Sequence, residues 1–252
     1  MRWMAMLALA ALMVGVAVEV SHGLGLQTVA SVANAEEGGA EAEVVRQRTW
    51  WDSVRAAGWV GAIIFLVSIA ALALIIQYSV EQKAEKLLPP HLVTELEQLF
   101  EEQAYDEAAE LCQTEDCYFT RIVGAGLSKM EGGYDAIIKA IETAGDEETG
   151  KLFGKLSNLS LMVAVAPMLG LYGTVTGMIA AFNVIASTAG GATPAQLADG
   201  ISEALVTTFL GLTVAIPTSV AFHFLKSRVV RISMETGGIV GDLFERFRQP
   251  AA

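Results

Sequence analysis

Apolar residues gather in four long runs along this chain, and between them apolar and polar positions alternate with helical spacing. The first run, Trp3 to Val18, follows Arg2 and stops at Glu19. It is shorter than the roughly 20 residues that a bilayer-spanning helix needs. Downstream stands Ala33-Asn34-Ala35, followed by Glu36 and Glu37. A basic start, an apolar run and a small-x-small site predict a cleaved signal peptide over residues 1–35. An uncleaved anchor is the alternative, because the gap between the run and Ala35 is long for such a signal.

The second run, Ala57 to Gln77, carries no charge. Trp50, Trp51 and Trp59 crowd its start and Tyr78 closes it, as aromatic residues do at the two faces of a membrane. The third and fourth runs are also long enough to span. The prediction is an all-α membrane protein of three long transmembrane helices, at 57–78, 156–187 and 194–226. A segment over 36–56 precedes them, a short loop at 188–193 separates the last two, and a tail covers 227–252.

Residues 79–155 form an insert with a different pattern. Leu92, Leu96, Leu99 and Phe100 recur at three and four residues among Glu95, Glu97, Glu101 and Glu102. Similar stripes follow at Tyr105, Ala108, Ala109 and Cys112, at Ile122, Val123, Leu127 and Met130, and at Ile137, Ile138 and Ile141. Gly132-Gly133 breaks the chain before the last. The expectation is a small helical bundle that extends the membrane helices into the cytoplasm and whose acids form a solvated face, with a docking surface for a regulatory partner as the alternative.

Composition sharpens this picture. The apolar share is 53% and the charged share 17%, so water is not the only solvent. A net charge of -12 argues against nucleic acid as a partner, since phosphate binding needs a positive surface. The insert alone holds 17 acids against seven bases. Lys83 and Lys86 follow the first span, Lys151 and Lys155 precede the second, and Lys226, Arg228 and Arg231 follow the third, while 187–199 has no Lys or Arg. By the positive-inside rule the insert and the tail are cytoplasmic and the mature N-terminus is outside. Arg46, Arg48 and Arg55 lie on the wrong side for that rule, but a cleaved signal exports the segment regardless. Cys112 and Cys117 would then be free thiols in a reducing compartment, and a C-x4-C pair without histidine is a weak metal signal.

Candidate chemistry is concentrated in the last two spans. Ala166, Gly170, Gly173, Gly177 and Ala180 or Ala181 form one nearly bare face, and Gly200, Ala204, Thr207, Gly211, Ala215 and Thr218 form another. Such stripes let helices in lipid approach closely, where the hydrophobic effect no longer drives association. Pro167 and Pro217 each remove a backbone donor and are expected to kink their helices. Thr193-Pro194-Ala195-Gln196 reads as a capping box that starts the third span.

Glu203 stands out. It lies nine residues beyond Pro194, about 14 Å along the helix. An acid deep in a bilayer costs about 2.5–3.5 kcal/mol on insertion scales, so its presence asks for a reason. A carboxyl group there can take up and release a proton. The alternatives are a wet position near the headgroups, or a glutamate that only bonds a neighbouring helix. Thr174 and Thr208 each lie about 21 Å from the outer ends of their helices, so one acid and two hydroxyls are expected in a middle layer of the bundle. Glu203 and Thr208 differ by about 140° around the helix, so they face different neighbours, and Thr207 competes with Thr208 for any role.

The residues 166–179, reading APMLGLYGTVTGMI, and 201–208, reading ISEALVTT, continued by Gly211-Leu212 and Ala215-Ile216-Pro217, resemble the MotA/TolQ/ExbB proton-channel family, and its ExbB branch most closely. The resemblance runs from the first span to the tail. It implies an inner-membrane homopentamer around the transmembrane helices of a single-span ExbD- or TolR-like partner. Proton flow would then drive a TonB-like energy transducer for transport across the outer membrane. It carries a pore-lining role to Thr174, Glu203 and Thr208, and places the proton-carrying aspartate on the partner. Thr207 is an extra hydroxyl beside the family position.

The resemblance leaves a TolQ-like or MotA-like motor subunit open, and sodium remains an alternative to protons. A scaffold without an ion path is the reading from a different class. No H-E-x-x-H or G-x-S-x-G is present, and neither an enzyme nor a cofactor is expected.

Overall fold

The computed structural model describes residues 58–187 and 193–248. The expected signal peptide, the whole segment at 36–56 and all of the loop at 188–193 but residue 193 lie outside the described residues. Among those described there is no strand. The helices are α1 (Gly58–Glu81), α2 (Ala84–Leu87), α3 (Pro90–Glu101), α4 (Tyr105–Thr114), α5 (Tyr118–Leu127), α6 (Tyr134–Ser187) and α7 (Pro194–Glu245), with a 3-10 turn at Met130–Gly132.

Three of these helices, α1, α6 and α7, are long and apolar enough to cross a membrane. At 24 residues, α1 measures about 36 Å, slightly more than a bilayer's hydrocarbon core. Helix α6 has 54 residues and α7 has 52, each roughly 80 Å long and far more than a span requires. The sequence reading bounded the second span at 156 and the third helix at 226, with the bundle of the insert extending the membrane helices. The extension is long: α6 begins at Tyr134 and runs through residue 156 without a break, and α7 continues past Lys226 to Glu245.

The reason for the extension is legible in the buried residues. Val229, Ile232, Thr236, Val240, Leu243 and Phe244 keep helical spacing after the span and are all buried. Gly237-Gly238 does not interrupt α7. Helix assignment also continues through Pro167 and Pro217.

The contacts divide the chain into two compact units. One comprises residues through Ala71 together with Met162–Ser219, and the other Leu72–Leu161 together with the chain from Val220 onward. In the second, Leu96, Phe100, Ala108, Phe119, Val123, Ile137, Val240 and Phe244 belong to one core. Phe100 and Phe244 meet edge to face at 5.1 Å, the geometry that the aromatic quadrupole favours. The acids between the stripes, including Glu95, Glu97, Glu101 and Glu102, are exposed. Gly133 turns the chain into α6 at φ +81, a conformation that disfavours any side chain, which is the break expected at Gly132-Gly133. A second cluster in this unit joins Tyr78, Leu156, Leu159, Leu225 and Val229.

Candidate functional site: the seam between the last two spans

In the first unit, α6 and α7 pack through the two small-residue stripes. Ala166, Gly170, Gly173, Gly177 and Ala181 are buried on α6, and Ala204, Thr207, Gly211, Ala215 and Thr218 on α7. A β-carbon added to Gly170 would lie 3.1 Å from the Thr208 Cα, and one on Gly177 would lie 3.1 Å from the Ala204 Cα. One on Gly200 would reach 2.7 Å from the Ala181 Cβ. The helices are therefore antiparallel and as close as backbones allow, which only such residues permit. Of the two alanines left open by the sequence, Ala181 faces the seam and Ala180 is exposed.

The hydroxyls sit at this seam in distinct ways. Thr208 Oγ1 donates to the Gly170 carbonyl at 3.1 Å, across the helix pair. Thr207, only 2% exposed, donates to its own-helix Ala204 carbonyl at 2.7 Å and reaches Gly170 O at 3.4 Å. Thr174 donates to Leu171 O at 2.6 Å within α6 and is only partly buried. Thr176, on the same helix, bonds Tyr172 O and Gly173 O. Gly170 thus gathers Thr207 and Thr208 within one chain, while Thr174 bonds only inside its own helix.

Glu203 lies to one side of the seam, toward α1. A β-carbon built on Gly58, the first described residue of α1, would stand 3.6 Å from Glu203 Oε1. The carboxyl is partly buried there, and among the described residues no side chain ion-pairs with it. In the same first turn, Trp59 meets the Tyr172 ring edge to face at 5.7 Å. Glu203 is thus level with the start of α1, and Thr207 and Thr208 follow it about 6–8 Å along α7, where Thr207 packs on Gly173, the neighbour of Tyr172.

That neighbourhood was not anticipated. Trp59 reads from sequence as an interfacial anchor, and nothing marks Gly58 as the partner of an acid. Its positive φ of +57 is the local signal, and it exists only in the structure. The opposite face of α7 presents Ala198, Ile201, Ser202, Leu205, Val206 and Phe209 along an open, mostly apolar groove. On the wheel this groove faces away from the stripe, so among the described residues α7 has one face for α6, one edge for α1 and one face unpartnered.

Comparison with known proteins meets this geometry. The alignment to TolQ of the Tol-Pal system from Haemophilus influenzae shows 32% identity over 124 residues, 49% of this chain and 54% of that protein. A putative ExbB-like 1 biopolymer transport protein of Synechocystis is 42% identical over 35% of this chain and 35% of its own length. The ExbB-like 3 protein of the same organism is 29% identical over 76% of this chain and 93% of its own length. The chain therefore spans about half the length of the first of these relatives and about a third of the second. Residues 115–237 match the MotA/TolQ/ExbB proton channel family, a region holding the whole α6 and nearly all of α7. With three spanning helices, a close-packed glycine seam and an acid beside it, the chain belongs to the MotA/TolQ/ExbB proton-channel family.

Proposed function

We propose that this chain is a non-enzymatic stator subunit of an ion-driven motor in a bacterial inner membrane. In this reading it works with a single-span ExbD-like partner and couples proton motive force to TonB-dependent transport across the outer membrane. The observation that carries the reading is Glu203, an acid on a spanning helix beside a seam that is otherwise bare or hydroxyl-lined.

Glu203 accepts and releases the proton, and Thr174 and Thr208 line the route. Copies of the chain, five in the resemblance, enclose the partner's helices. The apolar face of α7 that has no partner among the described residues is available for a neighbouring copy. The mature N-terminus is periplasmic, and the insert and the C-terminus are cytoplasmic.

The decisive experiment measures proton flux in vesicles holding this chain and its single-span partner, for wild type and Glu203→Gln. Flux that requires both proteins and disappears in the variant supports the reading. Equal flux in both would move the ion path off Glu203. A TolQ-like envelope role is the second reading, favoured by the 32% identity to TolQ. Replacing a host's own ExbB or TolQ separates the two, since only one class of function would be restored.

A further inference from the structure

The last turn of α1 directs polar side chains inward. Ser79 is 8% exposed, and Gln82, whose N–H closes the helix on the Tyr78 carbonyl at 2.9 Å, is 1% exposed. Both belong to the second unit, beside the apolar cluster of Tyr78, Leu156, Leu159, Leu225 and Val229. A polar group buried in such company costs stability unless something hydrogen-bonds it.

Their neighbours are satisfied. The Tyr78 hydroxyl accepts from Asn158 Nδ2 at 3.4 Å, and Glu81 accepts from Gln77 Nε2 at 2.9 Å and from Lys155 Nζ at 3.1 Å. Ser79 Oγ, Gln82 Nε2 and Gln82 Oε1 differ: all three are sealed, and among the described residues no group hydrogen-bonds them. Helical hydroxyls elsewhere in this unit, those of Thr94, Thr114 and Thr143, donate to the carbonyl four residues back. Ser79 does not, although that carbonyl lies on its own helix.

The spacing shows what size of ligand fits. Residues three apart on a helix are neighbours, with β-carbons about 5–6 Å apart. One small molecule bridges such a gap. Gln82 is covered by its own chain, so a side chain of a second copy does not reach it.

The orphaned atoms decide the chemistry. An amide nitrogen only donates, an amide oxygen only accepts, and a hydroxyl does both. A metal cation would satisfy Gln82 Oε1 and leave the Nε2 protons bare, and an anion would do the reverse. A neutral molecule that donates and accepts satisfies all three atoms. We propose that Ser79 and Gln82 bind water inside the second unit and that this water fastens the end of α1 to the helices it packs on. The three atoms supply the two to four polar partners that a buried water takes.

The test begins with thermal unfolding of the purified full chain in detergent. Removing a hydroxyl that has no partner at all would raise the midpoint. Removing one that holds water leaves both the water and Gln82 short of a bond, so Ser79→Ala should lower the midpoint by about 2–4 °C. In a Gln82→Leu background that drop should vanish, because the water no longer joins two side chains. X-ray footprinting, in which bound water yields hydroxyl radicals in place, reads the water directly. Leu156 and Leu225 should be oxidised more than Leu96, which is equally buried in the other cluster of this unit, and the excess should disappear in the double variant. A raised midpoint for Ser79→Ala, an undiminished drop in the Gln82→Leu background, or equal oxidation of the three leucines would overturn the proposal. Should Gln82→Leu not fold, the sign of the Ser79→Ala shift and the wild-type footprint decide the same question.

Discussion

Gly211 and Ala166 meet backbone to backbone: a β-carbon added at Gly211 would stand 2.6 Å from the Ala166 carbonyl oxygen. A flexible side chain could move away from such an intruder, but a helix backbone cannot. Gly211→Ala must therefore push α6 and α7 apart, at a cost of about 1–3 kcal/mol. Gly237, in the same helix, has nothing within 4 Å of its added carbon. Gly237→Ala should stabilise α7 by roughly 0.5–1 kcal/mol, since alanine loses less backbone freedom. Thermal unfolding of the two variants in detergent should shift in opposite directions. Shifts of the same sign would mean that the seam is looser than its geometry.

The two adjacent threonines should part company. The Thr207 hydroxyl is satisfied by its own helix at 2.7 Å and is sealed from outside. Thr207→Val keeps its shape, so stability should change by about 1 kcal/mol or less and proton flux should persist. Thr208 bonds across to Gly170 O and is partly exposed. Thr208→Val should cost about 0.5–1.5 kcal/mol and reduce partner-dependent flux. The reverse ranking in flux would assign the route to Thr207 instead.

These contrasts show what the sequence carried and what it could not. The stripes were legible because small residues every three or four positions leave little else for a lipid-embedded helix to do. The stripe in the insert containing Leu92, Leu96 and Phe100 was legible from the same periodicity, and all three are buried. Helix ends were harder. The third helix was bounded at 226, yet buried Val229, Ile232 and Val240 carry α7 on to Glu245, through Gly237-Gly238. Tertiary packing overrides the local cost of glycine. The company of Glu203 was out of reach, because Gly58 is distant in sequence and its positive φ leaves no trace in composition.

Cys112 and Cys117 should react very differently. Cys112 is buried at the α4–α5 contact, next to Gly124, and burial pushes its thiol up to about 11. Cys117 is partly exposed and its Sγ accepts from Thr120 Oγ1 at 3.4 Å. Since the thiolate is the nucleophile, iodoacetamide at about pH 8 should leave Cys112 intact in the folded chain and modify it in denaturant. The folded thiol holds its proton above the ordinary value of 9.0, so its contribution to stability is present below that pH and lost as pH rises toward 11. Rapid alkylation of Cys112 in the native chain, followed by peptide mass mapping, would contradict its packing.

Arg121 ties the start of α5 to α6. Its Nε and Nη2 donate to both oxygens of Asp116 at 2.5 and 2.7 Å, and Nη1 donates to Glu148 at 2.9 Å. Lys151 Nζ meets the other Glu148 oxygen at 2.7 Å. Arg121→Met leaves a buried glutamate with one partner, so the insert should lose about 1–2 kcal/mol. That is less than a fully buried pair would lose, because Arg121 is 44% exposed. Arg121→Lys should recover part of the loss but not the two-pronged contact with Asp116. The hydrogen bonds from Arg121 hold the Asp116 carboxyl below its ordinary value of 3.8. A carboxyl lowered in the folded state stabilises above that value and ceases to as pH falls through the folded one. The difference in thermal midpoint between wild type and Asp116→Asn should therefore be present at neutral pH and shrink on acidification below about 3.8. A difference that stays constant down to the acid limit would mean that the fork of Arg121 on Asp116 does not persist in solution.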